Sequence, residues 1–284
     1  MRPKAFKFHL SCNIMDVLEK FIRTAMENKT ILCFGVDPDI IKITTAQSTG
    51  MLVENTIAPF FHDIIDSLIN ENAIAAIKPN YAYFAQYGFD GLFVLEDIIQ
   101  RYKNKIPVIL DAKRGDIGKT SEAYAKECYD FWGAEAITIS PYMGYDSILP
   151  FLRKDKLVYM LCRTSNEGAK DLQQLKCGKK YLYEHVAERA MTWGCGLVVG
   201  ATSNSIKKIV KITKNRTPLL IPGIGAQGGD LEMILKTIKG NITIHRINAS
   251  SSIAYAYEKQ GGKPAEAAVT EAEKLNKRII KYYD

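Results

Sequence analysis

Short apolar runs recur along the chain, and each closes on polar residues: ILCFGVD (31–37), AIAAIKPN (73–80), PVILDAKR (107–114), AITISPY (136–142), VYMLCRT (158–164), GLVVGAT (196–202), LLIPGIG (219–225) and TIHRINAS (243–250). They alternate little, as strands buried on both faces of a parallel sheet should. Between them the apolar positions return at helical spacing. Ahead of the first run, Ile14, Val17, Leu18, Phe21, Ile22 and Ala25 share one stripe, with Asn13 placed to cap it. Leu92, Leu95, Ile98 and Ile99 repeat the pattern between the second and third runs. The tail from about Pro264 to Ile280 opens on proline, which suits a first helical turn, and turns Val269, Leu275 and Ile279 inward.

Eight β–α repeats in 284 residues predict an α/β fold, a (β/α)8 TIM barrel, with 1–284 as a single domain and 1–12 as an N-terminal extension. An open doubly wound sheet would carry a glycine-rich dinucleotide fingerprint after its first strand. Here that strand runs into GVDPD, which is no such fingerprint. No low-complexity linker divides the chain.

At 47% hydrophobic and 24% charged residues, the composition excludes disordered, collagenous and coiled-coil classes. No run approaches the roughly 18 apolar residues of a membrane helix, and the basic start MRPKAFKFHLSCN lacks a secretory apolar core. No membrane partner is therefore expected. Cys12, Cys33, Cys128, Cys162, Cys177 and Cys195 show neither C-x-x-C spacing nor a histidine cluster nearby. That predicts reduced thiols, a cytoplasmic location and no metal site. The net charge of +7 lies largely on helix surface, as at Lys207, Lys208, Lys211 and Lys214, or Lys277, Arg278 and Lys281. Without a dense basic stripe interleaved with aromatics, no nucleic-acid partner is expected.

In a barrel, chemistry collects at the carboxyl ends of the strands. Those ends carry Asp37 and Asp39, Lys78 and Asn80, Asp111 and Lys113, Ser140, Thr164 and Ser165, Thr202, Gly225 and Gln227, and Asn248 and Ser250. The third is the richest. In LDAKRGDIGKT (110–120), Asp111 and Lys113 stand two apart and so share a side of the strand, while Asp116 follows just before a helix that Thr120 and Ser121 help to open. Spacing alone also fits a surface ion pair with Asp116 as a helix-start residue. Lys78, ending the neighbouring apolar run, argues instead for an alternating charge array. Such an array shifts pKa values and is costly to assemble for stability alone. The glycines of PGIGAQGGD (222–230) suit close backbone approach to a phosphate, although a ligand-free turn would use them too. The polar connection 165–178 has the length of a lid or of a mobile surface loop. His62 and His185 fall in outer helices and read as structural.

LDAKRGDIGKT resembles the D-x-K-x-x-D-[IV]-G-x-T signature of the orotidine 5′-phosphate decarboxylase family. The resemblance continues through FGVDPD, IKPN, SPYMG, GLVVGAT and PGIGAQGGD, along nearly the whole chain. Related barrels acting on sugar phosphates, including 3-keto-gulonate-6-phosphate decarboxylase and hexulose-phosphate synthase, share only the shorter D-x-K-x-x-D. The resemblance implies a homodimer with shared active sites that uses neither metal nor organic cofactor and converts orotidine 5′-monophosphate to UMP and CO2. It implies a charged network of Lys78, Asp111 and Lys113, completed by Asp116 of the neighbouring subunit, with Lys113 protonating C6. Asp37 and Asn80 would hold the ribose and Lys78, and Thr120 from the partner would touch the ribose. Ser140, Thr164 and Ser165 would lie near the pyrimidine, and Gln227, beside Gly225, would hold the phosphate.

One departure stands out. The family carries Asn-x-x-Arg after its last strand, the arginine clamping the phosphate, whereas here the run is Asn248-Ala249-Ser250-Ser251. A hydroxyl does not replace a bidentate guanidinium, so weakened phosphate affinity is expected. Arg246, on the last strand itself, is not expected to reach the mouth. The competing readings are a metal-dependent sugar-phosphate decarboxylase or synthase, an aldolase-like Schiff-base enzyme using Lys78 or Lys113, and a non-catalytic phosphate-binding homologue.

Overall fold

A computed structural model of the protein describes residues 15–46, 53–201, 205–224 and 230–283. Residues 1–12, Asn13, Ile14, Thr202, Gly225 and Gln227 lie outside the described residues. Eight parallel strands form one sheet: β1 Leu32–Val36, β2 Ala76–Pro79, β3 Ile109–Arg114, β4 Ala136–Ile139, β5 Leu157–Arg163, β6 Gly196–Val199, β7 Leu219–Pro222 and β8 Arg246–Ala249. Each hydrogen-bonds to its neighbour in sequence, and β8 returns to β1 with Cys33 opposite Asn248. Isolated parallel bridges, Ile77 to Val108 and Asn80 to Asp111, join β2 to β3 and complete the circle. The predicted barrel is the observed one.

Every predicted run meets a strand, and all but one of the strands lie within the apolar stretch; β5 starts one residue ahead of its run, at Leu157. Ala73–Ala75 are buried but lie on the approach to β2, where the Ala75 amide donates to Leu32 O. Buried approach segments read like strands because burial, not pairing, selects their residues.

Period two sorts the strand side chains into two cores. Outward residues such as Leu32, Phe34, Ile77 and Leu110 pack under the helices. Inward ones, among them Cys33, Ala76, Ile109, Ala136, Tyr159, Val198 and Leu220, fill the barrel. The helix predicted before the first strand, α1 Met15–Glu27, lends Val17 and Phe21 to that inner cluster and so closes the barrel floor. Lys20 fastens it there through Lys103 O at 2.9 Å and the Glu135 carboxylate. α2 Ile40–Ala46 and α3 Val53–Asn70 follow β1, and the chain ends on the predicted helix Pro264–Ile279. The connection 165–178 holds a short helix, Ala169–Leu172, and one strand of a small hairpin, Lys176–Cys177 with Lys180–Tyr181.

The floor also contains Arg246, which opens β8, and His245 just before it. Arg246 is fully buried, its guanidinium donating to the carbonyls of Thr243 at 3.0 Å, His245 at 2.6 Å, and Phe21. It therefore faces away from the mouth, as expected from the sequence. His245 accepts from the Leu219 amide at Nδ1, 3.1 Å, which leaves the proton on Nε2 to donate to Asn215 Oδ1 at 2.9 Å. Burial, with the Arg246 charge adding to it, pushes the imidazole down to about 3.

A histidine whose folded pKa is depressed contributes stability above its unfolded pKa of about 6.5 and loses it as pH falls towards the folded value. The unfolding free-energy difference between wild type and His245→Gln should therefore shrink by about 1 kcal/mol per pH unit between pH 6 and 4. Urea denaturation at stepped pH measures this, and a constant difference would contradict the neutral-imidazole assignment.

Candidate active site

The inward ladder that packs the barrel turns chemical one step higher. Lys78 lies two residues beyond Ala76, Asp111 two beyond Ile109, and Thr138 two beyond Ala136, so each enters the mouth above an apolar layer. Lys78 Nζ sits 2.8 Å from Asp111 Oδ2, and Lys113 Nζ sits 2.8 Å from Asp111 Oδ1. Thr138 Oγ1 donates to Asp111 Oδ1 at 2.7 Å and accepts the Lys113 amide at 3.0 Å. The carboxylate is thus held by three side chains.

Burial alone would raise the Asp111 carboxyl, but the adjacent Lys78 and Lys113 ammonium groups hold it well below the usual carboxylate range. Burial alone would lower Lys78, yet Asp111, and after it Asp37, keep its ammonium above the normal lysine value. Both ions stay charged although their own side chains are largely removed from solvent. Lys113 differs from Lys78 in access: its side chain is 50% exposed against 4%.

Lys113 does not reach Asp111 by strand alternation alone. Its φ is +47°, in the left-handed region, and the β3–β4 register shifts between Leu110 and Arg114. A bulge of this kind re-aims a side chain and stores strain, which the surrounding hydrogen bonds must hold.

Two cavities meet at Lys78, Asp111 and Pro222. One, of about 300 Å3, runs from Lys113 and Thr138 between Leu161, Val198 and Leu220 to Thr164 and Ser165. The other, of about 350 Å3, is more polar and takes in Asp37, Asn80, Asn248 and Ser250–Ser252. Asp37 Oδ1, Asn248 Oδ1 and Ser252 Oγ are buried there with no hydrogen-bond partner among the described residues. Close backbone approach shapes both walls. A Cβ on Gly35 would lie 1.8 Å from Ser250 Oγ, and one on Gly200 would lie 2.8 Å from Ser165 Cβ.

Of the residues singled out from sequence, Lys78, Asp111, Lys113, Asp37, Asn80, Thr164, Ser165 and Ser251 line this mouth. Asn80 also caps the following helix, accepting from the Ala82 amide at 3.3 Å. Asp116, Thr120 and Ser140 line neither cavity of the single chain. The Asp116 carboxylate accepts from its own neighbour Ile117 at 2.8 Å, Thr120 is exposed, and the Ser140 amide donates to Arg114 O at 2.7 Å against Gly115. Gly225 and Gln227 fall outside the described residues.

Sequence reasoning missed Thr138, although its alternation with Ala136 was legible. It also missed Gln173, which bonds the Thr164 amide at 2.8 Å from the 165–178 connection, and Tyr255 and Lys42 on the polar wall. Nothing in the local sequence marks those three. Among the described residues, no three His, Cys, Asp or Glu side chains converge as a metal site requires.

The sequence matches the family described as orotidine 5′-phosphate decarboxylase / HUMPS over residues 32–270. An orotidine 5′-phosphate decarboxylase of Janthinobacterium sp. (strain Marseille) is 43% identical over 250 residues, covering 85% of this chain and 90% of that protein. Leishmania donovani UMP synthase, a solved structure, is 36% identical with a TM-score of 0.76 over 95% of this chain, which spans 57% of that longer one. Leishmania donovani OMP decarboxylase is 35% identical with a TM-score of 0.74, over 91% of this chain and 98% of that one.

Removing one member of a buried pair leaves the other charged and unsatisfied. Asp111→Ala should lower the unfolding free energy by roughly 3–5 kcal/mol, and adding Lys78→Met should return much of it. Equal stability of the single and double variants in urea titrations would show that the stranded ammonium is not the cause.

Proposed function

This chain belongs to the orotidine 5′-phosphate decarboxylase / HUMPS family, and from that premise we propose that it converts orotidine 5′-monophosphate to UMP and CO2, the closing step of de novo pyrimidine synthesis. One observation carries the reading: a buried carboxylate held between two ammonium groups at the junction of an apolar and a polar cavity. The apolar cavity suits a flat pyrimidine, and the polar one a ribosyl phosphate.

Loss of CO2 leaves an electron pair at C6. Lys113, the more accessible ammonium, stabilises that charge electrostatically and then donates its proton there. Lys78, held firmly as an ammonium, orients Asp111 and keeps it ionised. Asp111 faces the substrate carboxylate, and two like charges about 4 Å apart repel by roughly 4 kcal/mol at an effective dielectric of about 20, a strain released as CO2 departs. Binding of the distant phosphate offsets that strain. Asp37 and Asn80 hold the ribose, Thr164 and Ser165 meet the ring with Ser140 close behind, and Gly225 and Gln227 serve the phosphate. No step requires a cofactor.

Asp116 and Thr120 act in a second copy's site. Support comes from exposed apolar side chains on the segments that follow β2, β3 and β4, namely Phe89, Phe93, Ile117, Tyr142 and Met143, with Ile117 next to Asp116 in the chain. A homodimer covers those side chains and delivers Asp116 to the partner's network. No described helix is long and apolar enough to cross a membrane. With Cys33, Cys128, Cys162 and Cys195 buried as free thiols and Cys177 exposed as one, a cytoplasmic protein is the consistent reading.

Adding orotidine 5′-monophosphate should produce the ultraviolet absorbance change of decarboxylation, equally with and without EDTA. No change, or loss on chelation, overturns the reading. Lys113→Ala should lower kcat by about 10²–10⁴-fold or more. Shared sites make a further demand. Lys113→Ala and Asp116→Ala proteins, each inactive, should regain about a quarter of wild-type activity when mixed and re-equilibrated, because each heterodimer contains one intact site. No recovery despite heterodimer formation would place Asp116 outside the site.

A further inference from the structure

The polar cavity is short of positive charge for the anion it should hold. Its lining includes the carboxylates Asp37, Asp39 and Asp111 against the ammonium groups Lys42 and Lys78. Lys78 and Asp111 satisfy each other at 2.8 Å. Ser251 brings no charge, and the guanidinium of Arg246 is turned into the barrel floor among backbone carbonyls. Lys42 is the remaining cation among the described lining residues.

Its mounting is built rather than incidental. Asp39 accepts the Ile41 amide at 3.1 Å and so starts α2. The Tyr255 hydroxyl donates to Asp37 O at 3.1 Å and accepts from the Asp39 amide at 2.8 Å, and the Tyr257 hydroxyl donates to Lys42 O at 2.9 Å. Segments beyond β1 and beyond β8 are thereby locked together, with the Lys42 ammonium 5.0 Å from the Tyr255 ring centre. The same cavity is lined by Asn248 and Ser252, whose Oδ1 and Oγ are buried and unpartnered among the described residues. Lys42 itself pairs with Glu258 at 3.0 Å, where the two side chains are 38% and 40% exposed. An ion pair so exposed is weak and exchanges readily.

We propose that Lys42 gives up Glu258 on substrate binding and takes the 5′-phosphate, the cationic contact that Ser251 cannot make. The proposal rests on the decarboxylase reading above. An ammonium is a point charge without the guanidinium's fork, so one lysine in the cavity lining can supply charge but not bidentate geometry. Glu258 then serves as a placeholder that keeps Lys42 oriented over the cavity when no anion is there.

The test is titration of UMP and of uridine, its phosphate-free counterpart, into the full-length protein by calorimetry. Lys42→Ala should weaken UMP by about tenfold or more while leaving uridine affinity unchanged, since a charge-assisted hydrogen bond is lost only with the phosphate. Lys42→Arg should retain most of the UMP affinity. Introducing Ser251→Arg should tighten UMP binding and lower KM, and in that background Lys42→Ala should weaken UMP by less than about threefold, the two cations sharing one ligand. UMP affinity within about twofold of wild type in Lys42→Ala, or an equal loss for uridine, overturns the proposal. Wild-type protein that binds no UMP overturns the decarboxylase reading instead.

Discussion

A carboxylate removed from water must be matched by charge, and at this barrel mouth the match is double. Asp111 lies between Lys78 and Lys113, with Thr138 bonded to the oxygen it shares with Lys113. Desolvation favours the neutral acid, yet the two ammonium groups outweigh it. Much else is arranged to sustain that balance. The isolated Asn80–Asp111 bridge brings β2 and β3 together at the height of the cluster, and the apolar layer of Ala76, Ile109 and Ala136 beneath keeps water from below. Left-handed backbone at Lys113 is tolerated because its amide has Thr138 to donate to.

The strands and the first and last helices were legible because each rests on a periodicity that burial enforces. Lys78, Asp111 and Lys113 were legible because they end consecutive apolar runs on neighbouring strands. What escaped notice depends on contacts between residues far apart in the chain. Tyr255 bonds to the backbone of residues 37 and 39, more than two hundred positions away. Lys42 reads locally as one lysine on a short helix, and only the folded cavity brings it into the same lining as Ser251. The alternation rule reached the right partner for Lys113 by an incomplete route, since a register shift that no local pattern signals does part of the aiming.

The site divides its labour by depth. The lower barrel is sealed by Phe21 and Val17 of α1, and Arg246 is spent on carbonyls there. The middle holds the ion cluster, and the polar cavity opens at the rim, which is built from segments after β1 and β8. With serine at 251, the ion cluster in the middle keeps its own partners, Lys78 and Lys113 on Asp111 and Thr138 beside them.

Gly35 gives the rim a further property. Its missing side chain is occupied by Ser250, whose Oγ would lie 1.8 Å from any β-carbon there. Strand one and the turn after strand eight therefore fit as a key fits its lock, although one lies near the start of the chain and the other near its end. Neither position is free to drift alone: a larger residue at 35 evicts the serine, and a bulkier residue at 250 has no room unless 35 stays bare. Remodelling this rim, by selection or by design, must treat the two as a single locus.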